Sequence, residues 1–124
     1  MFGKKGFTLI ELIMVIVILG ILAVVAVPKY FDIQLQAKQS AEKGVVGGVR
    51  AGLQTYFAQN KAYPATLDSA TAAACSLTNV CFDTVLQQGG ITSDWTKAST
   101  TTYTGPTGTT YTYTPSGTDA GDFK

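Results

Sequence analysis

Histidine is absent from this 124-residue chain. That single absence removes a Ser-His-Asp triad, a Cys-His nucleophile pair and any His-ligated metal site. Cysteine is scarce as well, with Cys75 and Cys81 the two present. Without histidine beside them they supply too few ligands for a tetrahedral zinc site. Charged residues make up 14% of the chain, nine basic and eight acidic, for a formal charge of +1. The basic residues are scattered, so nucleic-acid binding by a broad cationic surface, which works by displacing clustered counterions, is not indicated. The glycine-rich stretch GVVGGVRAG lacks the Gly-Lys-Ser/Thr ending of a phosphate loop and lies inside a helical pattern. No catalytic residues, no cofactor and no metal are assigned, and the chain reads as a non-enzyme.

What the chain does hold is concentrated at one end. Eighteen of the 21 residues from Phe7 to Val27 are apolar, and Leu12 to Val27 runs without a polar side chain. As a helix this segment spans about 31 Å at 1.5 Å per residue, the thickness of one hydrocarbon core. Lys4 and Lys5 precede it, which by the positive-inside tendency leaves the amino terminus in the cytoplasm and exports the rest. A secretory signal has a shorter apolar core, about 7–15 residues, so this one is expected to stay attached.

Glu11 stands four residues into the apolar run. A carboxylate costs about 2.5–3.5 kcal/mol at mid-membrane depth and less near the interface, so it calls for a partner. A cut between Gly6 and Phe7 creates an α-amino group one helical turn before Glu11 and of opposite sign. That amine neutralises the acid within the subunit or on a neighbour. A simple membrane anchor, the plainer alternative, gains nothing from Glu11.

Lys4-Lys5-Gly6, then Phe7-Thr8-Leu9-Ile10-Glu11 and the apolar helix with Gly20, Pro28 and Lys29-Tyr30-Phe31, resemble the amino terminus of type IV pilins and type II secretion pseudopilins. The resemblance covers about the first quarter of the chain. It implies that residues 1–6 are a leader of the short type IVa kind, cleaved after Gly6 by a membrane-embedded prepilin peptidase that also N-methylates Phe7. It implies further that Glu11 pairs with the Phe7 amine of an adjacent subunit during assembly. Glycine and proline both weaken helices, and in this family the stretch Gly20 to Pro28 unwinds when subunits pack; an ordinary kink at Pro28 is the alternative.

The organisation expected is α+β: a long amino-terminal helix packed on a small antiparallel sheet. Residues 7–28 form the membrane and filament-core half of that helix, 29–60 its amphipathic half, and 61–124 a globular head. Ile33, Ala37, Ala41, Val45, Val49, Leu53 and Tyr56-Phe57 continue an apolar stripe, with Asp32, Lys38, Glu42, Lys43 and Arg50 on other faces. Tyr63-Pro64 ends it. Gly44, Gly47, Gly48 and Gly52 cost about 3–4 kcal/mol of helix propensity together, which points to close packing of the sheet or a neighbour, or else to a second flexible zone. Short helical pieces are expected at 68–74 and 82–88. Between them Cys75 and Cys81, in an exported chain, are expected to form a disulfide worth about 2 kcal/mol by chain entropy; two buried free thiols are the alternative. Strands are expected at 100–104 and 109–114 around the turn Gly105-Pro106-Thr107-Gly108. Their tyrosines read as packing residues or else as a recognition surface, and Asp119 with Asp122 as a solvated turn or else a calcium loop.

The function expected is a structural subunit: a single-pass inner-membrane precursor with a periplasmic head, processed by the peptidase and methyltransferase, handed to inner-membrane assembly machinery and polymerised with itself into an extracellular or periplasmic filament. The alternatives are a type II secretion pseudopilin, or a low-copy minor pilin that binds a ligand or DNA.

Overall fold

A computed structural model describes residues 6–124. Lys4 and Lys5, with the rest of positions 1–5 of the expected leader, lie outside the described residues. Helix α1 covers Leu9–Asn60, 52 residues, which is about 78 Å of helix at 1.5 Å per residue. Pro28 lies within it, and the helix continues on both sides. The helix ends where Lys61 turns left-handed at φ 58°, its N–H donating to the Phe57 carbonyl and the Asn60 amide to that of Tyr56.

The chain divides into two compact units, the first ending at Gln36 and the second running Ala37–Lys124. In the first, every described residue is exposed. In the second, the buried positions of the helix are Glu42, Val46, Val49 and Leu53, spaced four, three and four apart as one helical face requires. The stripe therefore runs through Val46, with Val45 only partly buried. Glu42, expected on a face other than the apolar stripe, points into the fold instead, because donors on Thr107 and Tyr111 reach its carboxylate.

Three short strands, β1 (Thr96–Lys97), β2 (Thr102–Thr104) and β3 (Thr110–Thr112), form an antiparallel sheet in sequence order. Thr102 pairs with Thr112 and Tyr103 with Tyr111. Backbone bonds extend the ladder on both sides, from Cys75 to Trp95 and Lys97 to Ala73 at one edge, and between Thr112 and Lys124 at the other. Helix and sheet share one core in which Phe82 is central, its ring 4.4 Å from Tyr103, 5.4 Å from Trp95 and 5.6 Å from Phe123. Those spacings suit tilted and edge-on aromatic packing.

The helical pieces expected at 68–74 and 82–88 do not form; both stretches are bends, turns and bridges. Asp68 is drawn inward by a buried partner, and Phe82 adopts φ 62°, a left-handed conformation incompatible with starting a helix there. The expected disulfide between Cys75 and Cys81 is present. Close approach explains one of the four helical glycines. A Cβ at Gly52 would meet the Val85 carbonyl oxygen at 2.0 Å, whereas one at Gly48 would make ordinary contact with the Leu86 side chain at 3.4 Å and those at Gly44 and Gly47 would meet nothing. The approaching segment is the 85–86 turn, not the sheet.

Candidate functional site

The amino-terminal site begins with Gly6, Phe7 and Thr8 in coil, followed directly by the helix. The first N–H groups of a helix have no carbonyl partner, and here two are met by side chains. Thr8 N–H donates to Glu11 Oε2 at 2.8 Å, and Glu11 N–H donates to Thr8 Oγ1 at 3.3 Å. This is a reciprocal capping box. It gives Glu11 a role that the reading of its charge alone missed: it fixes the helix start inside its own chain. The signal was present as Thr-x-x-Glu before an apolar run.

Beyond the cap, the apolar side chains from Leu9 to Val27 stand exposed around the whole helix, with Phe7 91% exposed at its entrance. The helix is long and apolar enough to cross a membrane. Gly20 lies in open space where a Cβ would touch nothing, so close packing within the chain does not account for it. Pro28 lacks the N–H that would bond the Val24 carbonyl.

Two buried carboxylates organise the second unit. Glu42 accepts from the Thr107 N–H at 2.9 Å, the Thr107 hydroxyl at 2.6 Å and the Tyr111 hydroxyl at 2.7 Å. Burial pushes its carboxyl up, but these donors outweigh burial and leave it below the usual carboxylate value. Gly105 permits the approach, since a Cβ there would lie 2.6 Å from the Glu42 carboxylate. Asp68, whose side chain is fully buried, pairs with Lys97. It also accepts from the N–H groups of Phe82 at 2.8 Å and Ala70 at 3.2 Å and from the Tyr103 hydroxyl at 2.9 Å. Burial, then the neighbouring Asp68 charge, raises the Tyr103 phenol far above its ordinary value. No buried side-chain polar atom lacks a partner among the described residues. These are structural constellations: each carboxylate is saturated by donors that belong to the fold.

The cysteine loop is pinned independently of its disulfide. Asn79 accepts from the Thr71 N–H at 2.8 Å and donates to the carbonyls of Thr71 and Ala74. Among the described residues no group of His, Cys, Asp and Glu is placed to hold a metal. Asp122 pairs with Lys124 at 2.7 Å, and its N–H donates to the Asp119 carbonyl. Tyr103 and Tyr113 are core residues, Tyr113 donating to the Pro64 carbonyl at 2.6 Å.

Comparison with known proteins converges on the same end of the chain. Residues 1–27 match the family described as the prokaryotic N-terminal methylation motif. The chain is 46% identical over 63 residues to the type II secretion system core protein G of Pseudomonas aeruginosa, covering 51% of this chain and 44% of that protein. It is 45% identical over 60 residues to the type IV narrow pilus major component PilA5 of Thermus thermophilus, covering 48% and 52%. It is 38% identical over 76 residues to the fimbrial protein EcpC of Eikenella corrodens, covering 61% and 48%. The chain thus spans about half the length of the curated relatives it matches. No solved structure matches it. An apolar amino-terminal helix together with a methylation motif fits a membrane-anchored precursor.

Proposed function

We propose that this chain, a member of the family of type IV pilins and type II secretion pseudopilins, is a structural subunit that is processed at its amino terminus and polymerises through helix α1 into a filament. One observation carries the reading: a methylation-motif segment, residues 1–27, leads into a helix whose apolar side chains are exposed on all sides. Such a surface needs either lipid or copies of itself. In this reading prepilin peptidase cleaves between Gly6 and Phe7, the new Phe7 amine is methylated, and residues 7–28 rest in the inner membrane with the head exported. Assembly then moves the apolar face from lipid to neighbouring helices. Glu11, held by Thr8, meets the Phe7 amine of the next subunit, a pairing that sets register more than it adds stability. Gly20 and Pro28 mark the stretch of helix that softens.

The match to a type II secretion core protein supports a second reading, in which the filament is a pseudopilus serving secretion and not a surface pilus. Mass spectrometry of the mature amino terminus tests the common part. The expected product starts at Phe7 and carries one methyl group; an intact Met1 in cells with active prepilin peptidase would exclude both readings. Electron microscopy and mass analysis of sheared surface filaments then separate them. This chain as the bulk surface component supports the pilus, and its confinement to the envelope supports the pseudopilus.

A further inference from the structure

A second face of α1 flanks the core stripe of the second unit. Gly48, Ala51, Gly52, Thr55, Tyr56 and Gln59 recur at the three- and four-residue spacing of one helical face. Opposite them stands the 84–88 turn, and the two walls enclose a groove of about 350 Å³. The groove is built by the fold itself. Gly52 admits the Val85 backbone at its floor. The turn is held by backbone bonds, Thr84 N–H to the Leu67 carbonyl at 3.2 Å, Leu86 N–H to that of Phe82 at 3.0 Å and Gly89 N–H to that of Leu86 at 3.1 Å. Among the described residues no charged side chain lines it. Its polar lining consists of the carboxamides of Gln59, Gln87 and Gln88 and the hydroxyls of Thr55, Tyr56 and Thr84. The Thr55 hydroxyl donates to the Ala51 carbonyl at 3.1 Å. The other five side chains bond to no described residue; Tyr56 is half-buried and the rest are exposed.

We infer that this groove binds a neutral saccharide. A carboxamide and a hydroxyl each offer both donor and acceptor, and so does every sugar hydroxyl. A charged ligand would give up its hydration with no opposite charge in the groove to replace it. An extended peptide finds no strand edge to pair with, since one wall is a helix and the other a turn. The volume lies at the lower end of the range for small-molecule clefts, about 300–1,000 Å³, which suits a short saccharide and not a long chain. Tyr56 supplies the aromatic surface on which the C–H face of a pyranose packs, and Gly48, Ala51 and Gly52 leave room beside it. The inference goes beyond the subunit reading: it gives the head a ligand and asks nothing of the amino terminus.

Saturation-transfer NMR on the full chain in phosphocholine micelles, which carry no sugar headgroup, tests it. The probes are the methyl glycosides of glucose, galactose, mannose and N-acetylglucosamine, with glycerol as a polyol that lacks the ring. Saturable transfer to at least one glycoside and not to glycerol is expected. Gln59→Ala/Gln87→Ala should weaken the binding at least about fivefold, the loss of two hydrogen bonds. Ala51→Trp, at an exposed helix position, fills the groove and should abolish binding while leaving the far-ultraviolet circular dichroism spectrum unchanged. Lys38→Gln, away from the groove, should bind as the parent does. Absence of saturable transfer to all four glycosides overturns the inference, as does transfer that glycerol matches or that persists in a folded Ala51→Trp chain. Each of those results leaves the subunit reading standing, because that reading is decided by the mature amino terminus and by filaments.

Discussion

Asp68 sits under the largest demand of any side chain in the head. Four donors and a fully buried position leave no oxygen for water. Lys97 is equally committed, bonding the Ala70 carbonyl at 2.8 Å and lying over the Tyr103 ring. A buried ion pair so satisfied is weak evidence of net stabilisation, but removing one member strands the other. Asp68→Ala should therefore destabilise the head by about 3–5 kcal/mol, while exposed Asp119→Ala should change stability by no more than about 0.5 kcal/mol. Urea unfolding of the full chain in detergent reads this through Trp95, the single tryptophan and a buried one. Equal midpoints for the two variants would contradict the assignment. At the other end of the chain, Thr8→Ala removes half of the capping box, a loss of about 1 kcal/mol at the helix start. Thr8→Ser retains the hydroxyl and should restore filament yield where Thr8→Ala lowers it; identical yields in both would remove Thr8 from the site.

At the scale of elements, helix α1 poses a sharper question through its glycines. Where a Cβ would strike the Val85 carbonyl, at Gly52, alanine must displace backbone and should cost about 1–3 kcal/mol. At Gly44 and Gly47 the space is open, so alanine should stabilise by up to about 1 kcal/mol through helix propensity. If Gly44→Ala gains stability yet lowers filament yield, the small face serves a neighbouring subunit; unchanged yield assigns that glycine no packing role. This helix was also the most legible element. Its apolar run, its periodic stripe and Tyr63-Pro64 set its limits to within a few residues, and Thr/Tyr alternation around Gly105 to Gly108 located β2 and β3. The unread parts depend on distant partners. Glu42 at a helix position resembles any solvated acid until Thr107 and Tyr111 arrive from 65 and 69 residues away. Asp68 before an alanine-rich stretch resembles a helix start until Lys97 draws it inward, and the two-residue β1 is too short to carry a period. At the amino terminus Glu11 was legible as an anomaly of charge, whereas its bond to Thr8, a local motif, went unread beside the assembly role.

At the scale of the whole head, Glu42, Tyr103 and Tyr113 are held by contacts that oppose loss of their native protonation state, and their directions set how these three groups make stability vary with pH. Glu42 is held below its ordinary value, which is about 4.3 in unfolded chains. Its contribution is therefore present above that value and is lost as pH falls through the folded one. Tyr103 and Tyr113 are raised, Tyr113 to about 12, chiefly by burial. Their contribution is present below the ordinary phenol value of about 10 and is lost as pH rises through the folded values. The expected profile has one limb falling below the usual carboxylate range, another falling above about pH 10, and no contribution from these three groups to any change between. Glu42→Gln should flatten the acid limb because the amide cannot titrate, and Tyr113→Phe should flatten part of the alkaline limb, each at a lower plateau. Urea midpoints of the full chain in detergent, followed by Trp95 fluorescence across the pH range, measure both limbs. An acid limb as steep in Glu42→Gln as in the parent would show that the helix-to-turn contact is not what titrates.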